Sequence, residues 1–221
     1  MNILGIDCST SLLSVSLKSG EKLYESSIHD GFKHSENLMV QIDHLFSIAG
    51  LSRSELDLIA VAAGPGSFTG LRIAMSTAKG LAMGAEADLV SLSTLDVYAE
   101  PLKHFEGVVI PVIDARKKRL YAAMYKSGEK ISKELDIEAE KLIQMAASHS
   151  KILITGPDSH LFEKISLNDS RIIIDKRFSS VTATPLINLG LKKYKDVGPD
   201  PHGSGPVYIR KSEAELSMFG E

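Results

Sequence analysis

The chain has 221 residues, of which 43% are hydrophobic and 24% are charged, and its formal net charge is −3. This is the composition of a soluble globular protein long enough for two small domains, and the slight negative charge argues against a broad nucleic-acid-binding surface, which needs clustered lysine and arginine. Apolar runs stay well short of the roughly 18–20 residues that cross a bilayer, and the N-terminal residues lack the basic region of a signal peptide, so we expect a cytoplasmic protein without membrane association.

The first half of the chain predicts a mixture of strands and helices. Apolar residues recur at three- and four-residue spacing at Leu38, Ile42, Leu45 and Ala49, which predicts a helix over residues 34–49. The other elements of this half are expected as strands at 3–6, 12–17, about 22–28, 58–63 and 89–92, a helix at 70–84 and a short helix that ends at Pro101.

The second half repeats the order of these elements. Its predicted strands lie at 108–114, 120–125, about 129–137, 151–155 and 171–175, and its helices at about 138–148, after the Gly156-Pro157 turn, and near 184–195. Both halves therefore read βββαβαβα, although no sequence identity links them. This duplicated order is typical of the actin/Hsp70/sugar-kinase superfamily, whose lobes are ribonuclease H-like.

We therefore expect an α/β fold with an N-terminal lobe over residues 1–101 and a C-terminal lobe over 102–221. Proteins of that superfamily bind ATP in the cleft between their two lobes. The segment 198–206 is rich in proline and glycine and is interpreted as a linker. Residues 198–221, which include the sequence SEAELSMF, are candidates to pack back on the first lobe.

The stretch GPGSFTGLR at residues 64–72 joins a predicted strand to a predicted helix. It is not a P-loop, because Leu71 stands where that motif needs lysine, and its third glycine comes one residue too late for the dinucleotide-binding pattern G-x-G-x-x-G. Free backbone N–H groups at a helix start can hold an anion. Alternatively, the glycines permit a tight turn and close packing of the helix on the sheet. Spacing alone favours the turn.

The turn after the first strand, DCSTS at residues 7–11, raises the same question. An aspartate at a strand end, followed by hydroxyl side chains, resembles the first phosphate-binding turn of the superfamily, where the acid helps to position magnesium. The sequence is equally consistent with an ordinary hairpin turn. The candidate nucleotide contacts in the two loops are Asp7, Ser9, Thr10 and Gly66.

The sequence shows neither a catalytic constellation nor a metal site. Its seven histidines form no H-x-x-x-H or H-E-x-x-H pair, and no G-x-S-x-G elbow is present. The single cysteine, Cys8, follows Asp7, a setting that does not favour a low thiol pKa. The basic cluster RKKR at 116–119 is interpreted as a solvated hairpin end rather than an RNA contact.

The two long predicted helices of the first half are unusually apolar. The second has Arg72 and Lys79 as its only charged residues, so it lacks a polar face, as is usual for a helix that is buried on all sides. Its small residues would let another helix approach closely. In the first helix, Met39 and Phe46 lie beside the core stripe. Either another element of this chain or another subunit covers these surfaces, and we favour the subunit.

Five stretches point to a known family. They are GIDCSTS at 5–11, HSENLM at 34–39, GPGSFTGLR at 64–72, VIDAR at 112–116 and GPVYIR at 205–210. Together, and in this order, they resemble the TsaB family of bacterial accessory proteins for threonylcarbamoyladenosine synthesis on tRNA. The resemblance covers most of the chain.

The resemblance implies a protein without catalytic activity of its own. The family is similar in fold to TsaD, the enzyme that transfers the threonylcarbamoyl group to adenosine 37 of tRNA and holds a metal through an H-x-x-x-H pair. Residues 92–101, LSTLDVYAEP, stand roughly where that pair is expected and contain no histidine. The chain is thus expected to be a scaffold and activator of TsaD, with no metal and no tightly bound cofactor.

The resemblance also implies partners. In the family, the two long helices of the first lobe bind TsaD, or form a homodimer when TsaD is absent, and the ATPase TsaE joins the pair. Contact with tRNA is expected to be indirect or weak, and ATP or ADP to bind only within the complex. The expected interface residues are His34, Met39, Phe46, Arg72, Ile73, Thr77, Gly80 and Gly84.

Two alternatives remain open. An ATP-dependent small-molecule kinase of the same superfamily would need a base near the cleft, for which Asp7 and Asp114 are the candidates. The older description of the family as glycoprotease-like peptidases conflicts with the missing pair of histidine ligands.

Overall fold

A computed structural model describes residues 1–31, 33–176 and 182–210 of the chain. In these residues two β-sheets follow one another along the sequence, the first built from residues 2–93 and the second from residues 108–174. The sequence SEAELSMF lies outside the described residues. No helix in the described part of the chain combines the length and the apolar character that a membrane span requires.

The first sheet has five strands in the order β3-β2-β1-β4-β5. They are β1 (Asn2–Asp7), β2 (Leu13–Ser19), β3 (Lys22–Ile28), β4 (Leu58–Gly64) and β5 (Asp88–Ser93). Strands β1, β2 and β3 are antiparallel neighbours, whereas β4 pairs in parallel with both β1 and β5. β4 is buried along its whole length, and its apolar sequence LIAVAAG is the pattern of a strand covered on both faces.

Two long helices cover one face of this sheet, which confirms the helices predicted from the spacing of apolar residues. They are α1 (His34–Ala49) and α2 (Phe68–Ala85). α1 has the predicted bounds. α2 begins two residues earlier than predicted, because the Ser67 hydroxyl caps it by accepting a hydrogen bond from Gly70 N at 3.3 Å. The core beneath the helices includes Ile6, Val15, Leu38, Ile42, Leu45, Val61, Ala74, Met75 and Ala78.

The second sheet has the order β10-β7-β6-β11-β12, with β8 paired to β6 and to β9. Its strands are β6 (Val108–Asp114), β7 (Leu120–Ala122), β8 (Tyr125–Lys126), β9 (Glu129–Lys130), β10 (Leu135–Ile137), β11 (Ile152–Thr155) and β12 (Ile172–Ile174). The short helices that pack against it are α3 (Thr94–Ala99), α4 (Ala139–Met145) and α5 (Glu163–Ser166). Alternate residues of β6 point to opposite faces, so Ile110 belongs to the apolar cluster that includes Leu142 of α4, and Ile113 to the one that includes Leu95 of α3.

The second sheet is more broken than the sequence predicts. The expected strands at 120–125 and 129–137 are each divided in two, so the prediction of uninterrupted strands was wrong here. Met124 N donates to the Ser132 hydroxyl at 2.9 Å instead of to a neighbouring strand, which interrupts the ladder at that point. A side chain that replaces a strand partner leaves no trace in hydrophobic periodicity.

The last described helix, α6 (Ala183–Val197), packs on the first sheet, on the face opposite to α1 and α2. The sequence assigns this helix to the second half of the chain. Its buried side carries Leu186, Ile187 and Gly190, which contact the apolar face of the first sheet. The contact is close, since a Cβ at Gly190 would lie 2.7 Å from the Cβ of Ala60.

Replacing Gly190 by alanine should destabilise the fold, because the new methyl group would overlap Ala60 and force α6 away from the sheet. We expect the free energy of unfolding to fall by about 1–3 kcal/mol, measured by urea denaturation followed by circular dichroism. Gly84→Ala is the matched control, since it also changes a helical glycine but places the Cβ where no atom lies within 4 Å. It should leave stability unchanged or raise it by about 0.5–1 kcal/mol, and equal losses in both variants would contradict the close packing.

Candidate partner-binding face and interlobe cleft

The surface of α1 and α2 on the side away from the first sheet carries exposed apolar and small residues. We call it the α1/α2 face. Of the apolar side chains of these two helices, Met83 is 78% exposed, Val40 60% and Ile48 52%. Exposed apolar residues that lie close together are typical of an interaction site, in contrast to single scattered ones. None of these three residues is among the predicted interface residues, although apolar residues outside the buried stripe were the signal for them.

Five of the eight predicted interface residues lie on or beside the α1/α2 face. Gly80 and Gly84 are exposed, and a Cβ added at either position would meet no atom within 4 Å. Met39 is 39% exposed, and Ile73 and Thr77 are half-buried. The described part of the chain thus leaves the small residues of α2 uncovered, with room for another helix to approach.

The structure places two further predicted interface residues inside the fold. His34 is buried, with its Nε2 atom 2.7 Å from Thr10 O, and Phe46 belongs to the core beneath the helices. Neither side chain reaches the α1/α2 face. Phe46 is buried because the core stripe of α1 is one residue wider than the spacing of Leu38, Ile42 and Leu45 suggests. His34 instead ties the start of α1 to the turn after β1.

The eighth residue, Arg72, is engaged within the chain. Its guanidinium carbon lies 3.8 Å from the centre of the Phe68 ring, and its Nε donates a hydrogen bond to the Tyr208 hydroxyl at 3.1 Å. The rings of Phe68 and Tyr208 are themselves in contact, with centres 4.7 Å apart. A cation over an aromatic face is attracted by the ring quadrupole, so this cluster holds Tyr208 against the start of α2.

Tyr208 belongs to an extended segment that runs along α2, residues 199–210, which we call the strap. It starts near the end of α2, passes Lys79, whose Nζ donates to His202 O at 3.1 Å, and reaches β4, where Val207 N donates to Ala63 O at 2.7 Å. It then crosses to the second sheet, where Arg210 pairs with Asp136 at 2.7 Å. The strap therefore connects the two sheets through the flank of α2.

The GPGSFTGLR loop packs directly on the turn after β1. A Cβ at Gly66 would lie 2.2 Å from Ser9 O, and one at Gly70 would lie 2.0 Å from Cys8 O. Gly64 has a φ of +114°, which side chains rarely adopt. The glycines are thus explained by close backbone contacts and a turn, the interpretation that the sequence favoured.

The candidate nucleotide residues on the turn after β1 are largely enclosed. Asp7 is 1% exposed, and its Oδ1 accepts a hydrogen bond from Ser9 N at 2.8 Å. Its Oδ2 and the Ser9 hydroxyl have no hydrogen-bond partner among the described residues. Thr10 is also buried, and its carbonyl accepts the contact from His34. A ligand would have to displace packing to reach the Asp7 carboxylate.

A cavity of about 810 Å³ separates this turn from the second sheet. Its walls come from both lobes and include Ser9, Gly66, Asp114, Arg116, Asp158 and His160. Asp158 accepts a hydrogen bond from Asp114 N at 2.7 Å. Burial raises the pKa of Asp158, and the neighbouring Asp114 carboxylate raises it further, against the effect of the hydrogen bond. Two clustered carboxylates make this wall of the cleft less favourable for a polyphosphate.

The other candidate catalytic groups of the described residues are buried or hydrogen-bonded within the chain. Cys8 is fully buried, and burial together with the Asp7 charge raises the pKa of its thiol far above the usual value. Within residues 1–31, 33–176 and 182–210, no group of three or more histidine, cysteine, aspartate or glutamate residues is arranged to hold a metal ion. The Asp114 carboxylate, a base candidate in the kinase hypothesis, accepts a hydrogen bond from Arg116 N at 2.8 Å.

Comparisons with known proteins decide the family. The sequence model of TsaD, tRNA N6-adenosine threonylcarbamoyltransferase, matches residues 31–190. The TsaB protein of Bacillus subtilis, a tRNA threonylcarbamoyladenosine biosynthesis protein, is 29% identical over 231 residues, which cover 99% of this chain and 98% of the relative. The chain belongs to the TsaB group of the TsaD family. The resemblance that the five sequence stretches carry is thereby confirmed.

Solved structures confirm the fold class of this TsaB-family chain. YeaZ from Pseudomonas aeruginosa superposes with a TM-score of 0.77 at 23% identity, over 94% of this chain and 99% of that chain. A Bacteroides thetaiotaomicron protein with an actin-like ATPase fold gives a TM-score of 0.51 at 12% identity, over 85% of this chain and 95% of that chain. The duplicated α/β architecture predicted from the order of elements is therefore correct.

The start of the strap is held by a buried carboxylate. Asp200 accepts hydrogen bonds from Ser91 N at 2.8 Å and from Lys193 Nζ at 2.5 Å. Burial raises the pKa of Asp200, but the hydrogen bonds and the Lys193 charge outweigh burial and hold this pKa below its usual value. A carboxylate whose pKa is lower in the folded state stabilises the fold above its unfolded pKa, and this contribution is lost as the pH falls through the folded value.

Asp200→Asn should lower the free energy of unfolding by about 1–2 kcal/mol at neutral pH. The difference from the unsubstituted chain should shrink as the pH falls below about 4, the range in which an unfolded aspartate becomes protonated. Chemical denaturation across this pH range measures both effects. Asp196→Asn is the control, because Asp196 is an exposed partner of Lys192 and should contribute little. A pH-independent loss in Asp200→Asn would contradict the role of the carboxylate charge.

Proposed function

We propose that the chain is a non-catalytic scaffold that binds and activates a TsaD-type transferase during threonylcarbamoyladenosine synthesis at adenosine 37 of tRNA. Participation in this biosynthesis is supported by the Bacillus subtilis relative, a tRNA threonylcarbamoyladenosine biosynthesis protein, and by the transferase family whose sequence model the chain matches. The scaffold role itself is argued from the surface of this chain.

The α1/α2 face is the observation that carries the scaffold proposal. The exposed apolar side chains of these helices, Val40, Ile48 and Met83, are accompanied by polar ones such as Glu36 and Asp43, and the glycines leave the α2 backbone open to close approach by another helix. Association would remove Met83 and Val40 from water, which contributes roughly 25 cal/mol for each Å² of apolar surface buried. We place the contact with TsaD here, and the homodimer on the same face when TsaD is absent.

Catalytic silence is supported by the residues that the chain lacks and by those that it buries. Residues 92–101 contain no histidine where the transferase resemblance expects a metal-binding pair. Cys8 is enclosed, with the pKa of its thiol raised by burial. The chain therefore contributes binding surface to the reaction, and the chemical step belongs to the partner.

The remaining partners follow from the same proposal. TsaE joins the pair of proteins, and tRNA reaches the transferase with at most a weak contact to this chain. The candidate nucleotide residues Asp7, Ser9 and Thr10 are buried, and Gly66 is half-buried, which supports contact with ATP or ADP only within the assembled complex.

Reconstitution tests the activator role. Adding the purified chain to TsaD, TsaE, tRNA and a threonylcarbamoyl donor should raise the yield of modified nucleoside by about tenfold or more, a change of ~1.4 kcal/mol in effective activation. Chromatography of the digested tRNA measures the yield. The chain on its own should give no product. An equal yield with and without the chain would contradict the proposal.

Gly80→Arg tests the location of the interface. The substitution places a charged, strongly hydrated side chain at the proposed contact, where association would bury it without a partner. We expect association with TsaD to weaken by about tenfold or more, ~1.4 kcal/mol, with unchanged thermal stability of the isolated chain. Light scattering measures the mass of the complex and of the homodimer.

Asn188→Arg is the matched control for this substitution. It adds the same charge at an exposed position of α6, on the far side of the first sheet, and should leave both assemblies intact. An unchanged complex in Gly80→Arg would move the interface away from α2. Loss of the complex in both variants would show that added charge, and not its position, is responsible.

A further inference from the structure

A second cavity lies between the strap, the start of α2 and the hairpin that joins β6 to β7. We call it the strap pocket. It has a volume of about 380 Å³ and adjoins the cavity of about 810 Å³ described above, the interlobe cavity, with which it shares Gly66, Phe68, Ala115, Arg116 and Tyr121. Its distinctive side chains are three aromatic rings and three cations, namely Phe68, Tyr121, Tyr208, Arg116, Lys117 and Arg210.

The lining of the strap pocket is one-sided in charge. None of its described lining residues is an aspartate or a glutamate. Asp136 does not line the pocket, but it forms ion pairs with Arg210 at 2.7 Å and with Arg119 at 2.7 Å. The charges of these two guanidinium groups are therefore compensated by a carboxylate outside the pocket. Asp114 lies 3.5 Å from Arg116, whose side chain is 77% exposed. A pair so exposed contributes little and leaves Arg116 able to turn to another anion.

The cations at the pocket opening stand on an unusual turn. Arg116, Lys117 and Lys118 have φ angles of 63°, 55° and 60°, so three successive residues are left-handed. Each such residue costs roughly 1–2 kcal/mol for a side chain other than glycine, and a hairpin tip needs only asparagine and glycine to reach this conformation cheaply. A turn that has only to connect two strands gives no reason for arginine and lysine at these positions. Strain of this kind is concentrated at functional sites.

We propose that the strap pocket and this turn bind an unpaired nucleotide of RNA and the phosphates on either side of it. The base would stack against the exposed part of Tyr121, while Arg116 and Lys117 contact its phosphate and Lys118 contacts the next one along the strand. Stacking on aromatic side chains together with a cationic track is the general way in which proteins hold single-stranded nucleic acid. The choice of RNA over DNA rests on the proposed function. The proposal that the site binds a single strand of nucleic acid does not depend on it.

The position of Lys118 favours a strand over a free mononucleotide. Lys118 is exposed on the same turn but does not line the pocket, so a ligand confined to the pocket leaves it unused. A chain that continues beyond the pocket brings a further phosphate to it. From the sequence alone, we interpreted RKKR at 116–119 as a solvated hairpin end. The structure confirms that residues 116–118 form an exposed hairpin tip, but it also places beside them the aromatic rings of α2 and of the strap, which are remote in sequence.

Fluorescence anisotropy of the full chain alone with a labelled RNA hairpin, whose loop has about seven nucleotides, tests the site. Lys118→Asn removes one cation and keeps a residue suited to the left-handed conformation. It should weaken binding several-fold and make the dependence of log K on log salt concentration less steep by about 0.7. Tyr121→Leu keeps an apolar side chain but removes the ring, and should weaken binding by about fivefold or more.

Lys126→Gln is the matched control, because Lys126 is also exposed but lies at the opposite end of β6. It should leave the affinity unchanged. Equal losses in Lys118→Asn and Lys126→Gln would show diffuse electrostatic attraction and overturn the site, as would an unaltered affinity in Tyr121→Leu. Competition by AMP at concentrations near the dissociation constant for RNA would overturn the strand in favour of a mononucleotide.

Two further measurements complete the test, namely circular dichroism of Tyr121→Leu and binding of a DNA hairpin. Should Tyr121→Leu lose its native circular dichroism, the affinity and salt dependence of Lys118→Asn decide the matter. Equal affinity for a DNA hairpin of the same sequence would overturn the assignment to RNA. Because TsaD is absent from this assay, a failure here leaves the reconstitution result standing, and a failed reconstitution does not alter RNA binding by the chain alone.

Discussion

The close approach of two loops sets the geometry of the first lobe. The loop between β4 and α2 lies on the turn after β1 so tightly that carbonyl groups occupy the space where side chains at Gly66 and Gly70 would stand. Ser67 N donates to Ser9 O at 2.6 Å, and the Ser67 hydroxyl caps α2, so one residue fixes both the loop contact and the start of the helix. The direction in which α2 leaves the sheet follows from this contact.

The position of α2 explains why its sequence lacks a polar face. One side, with Ala74, Met75 and Ala78, is buried against the sheet. A second side is lined by the strap, which takes Lys79 and Arg72 into contacts within the chain. The third side is the α1/α2 face, which the described residues leave open. An apolar helix is usual where every side is covered, so the open side is the one on which we propose that another protein docks.

The spacing of apolar residues predicted those elements whose structure depends mainly on interactions between residues close in sequence. The three- and four-residue spacing of α1 predicted its bounds, because burial of one helix face dominates there. The sequence could not predict the path of the strap or the position of Tyr208 beside Arg72. Contacts between residues so distant in sequence leave no periodic signal. His34 was misplaced for the same reason: its partner, Thr10 O, is a backbone atom of a remote turn. The strap pocket likewise assembles only in three dimensions.

The interlobe cavity and the strap pocket share residues, which decides how substitutions in them can be interpreted. Phe68 lines the interlobe cavity and the strap pocket and also carries Arg72 on the flank of α2. A change at Phe68 would therefore disturb both cavities together, and its effect could not be assigned to either of the proposed nucleotide and RNA contacts. Gly80 lines neither cavity, and Lys118 lies away from α2 at the hairpin tip. The effects of substitutions at sites that share no partner usually add, so Gly80→Arg and Lys118→Asn test the proposed partner docking and the proposed RNA binding separately.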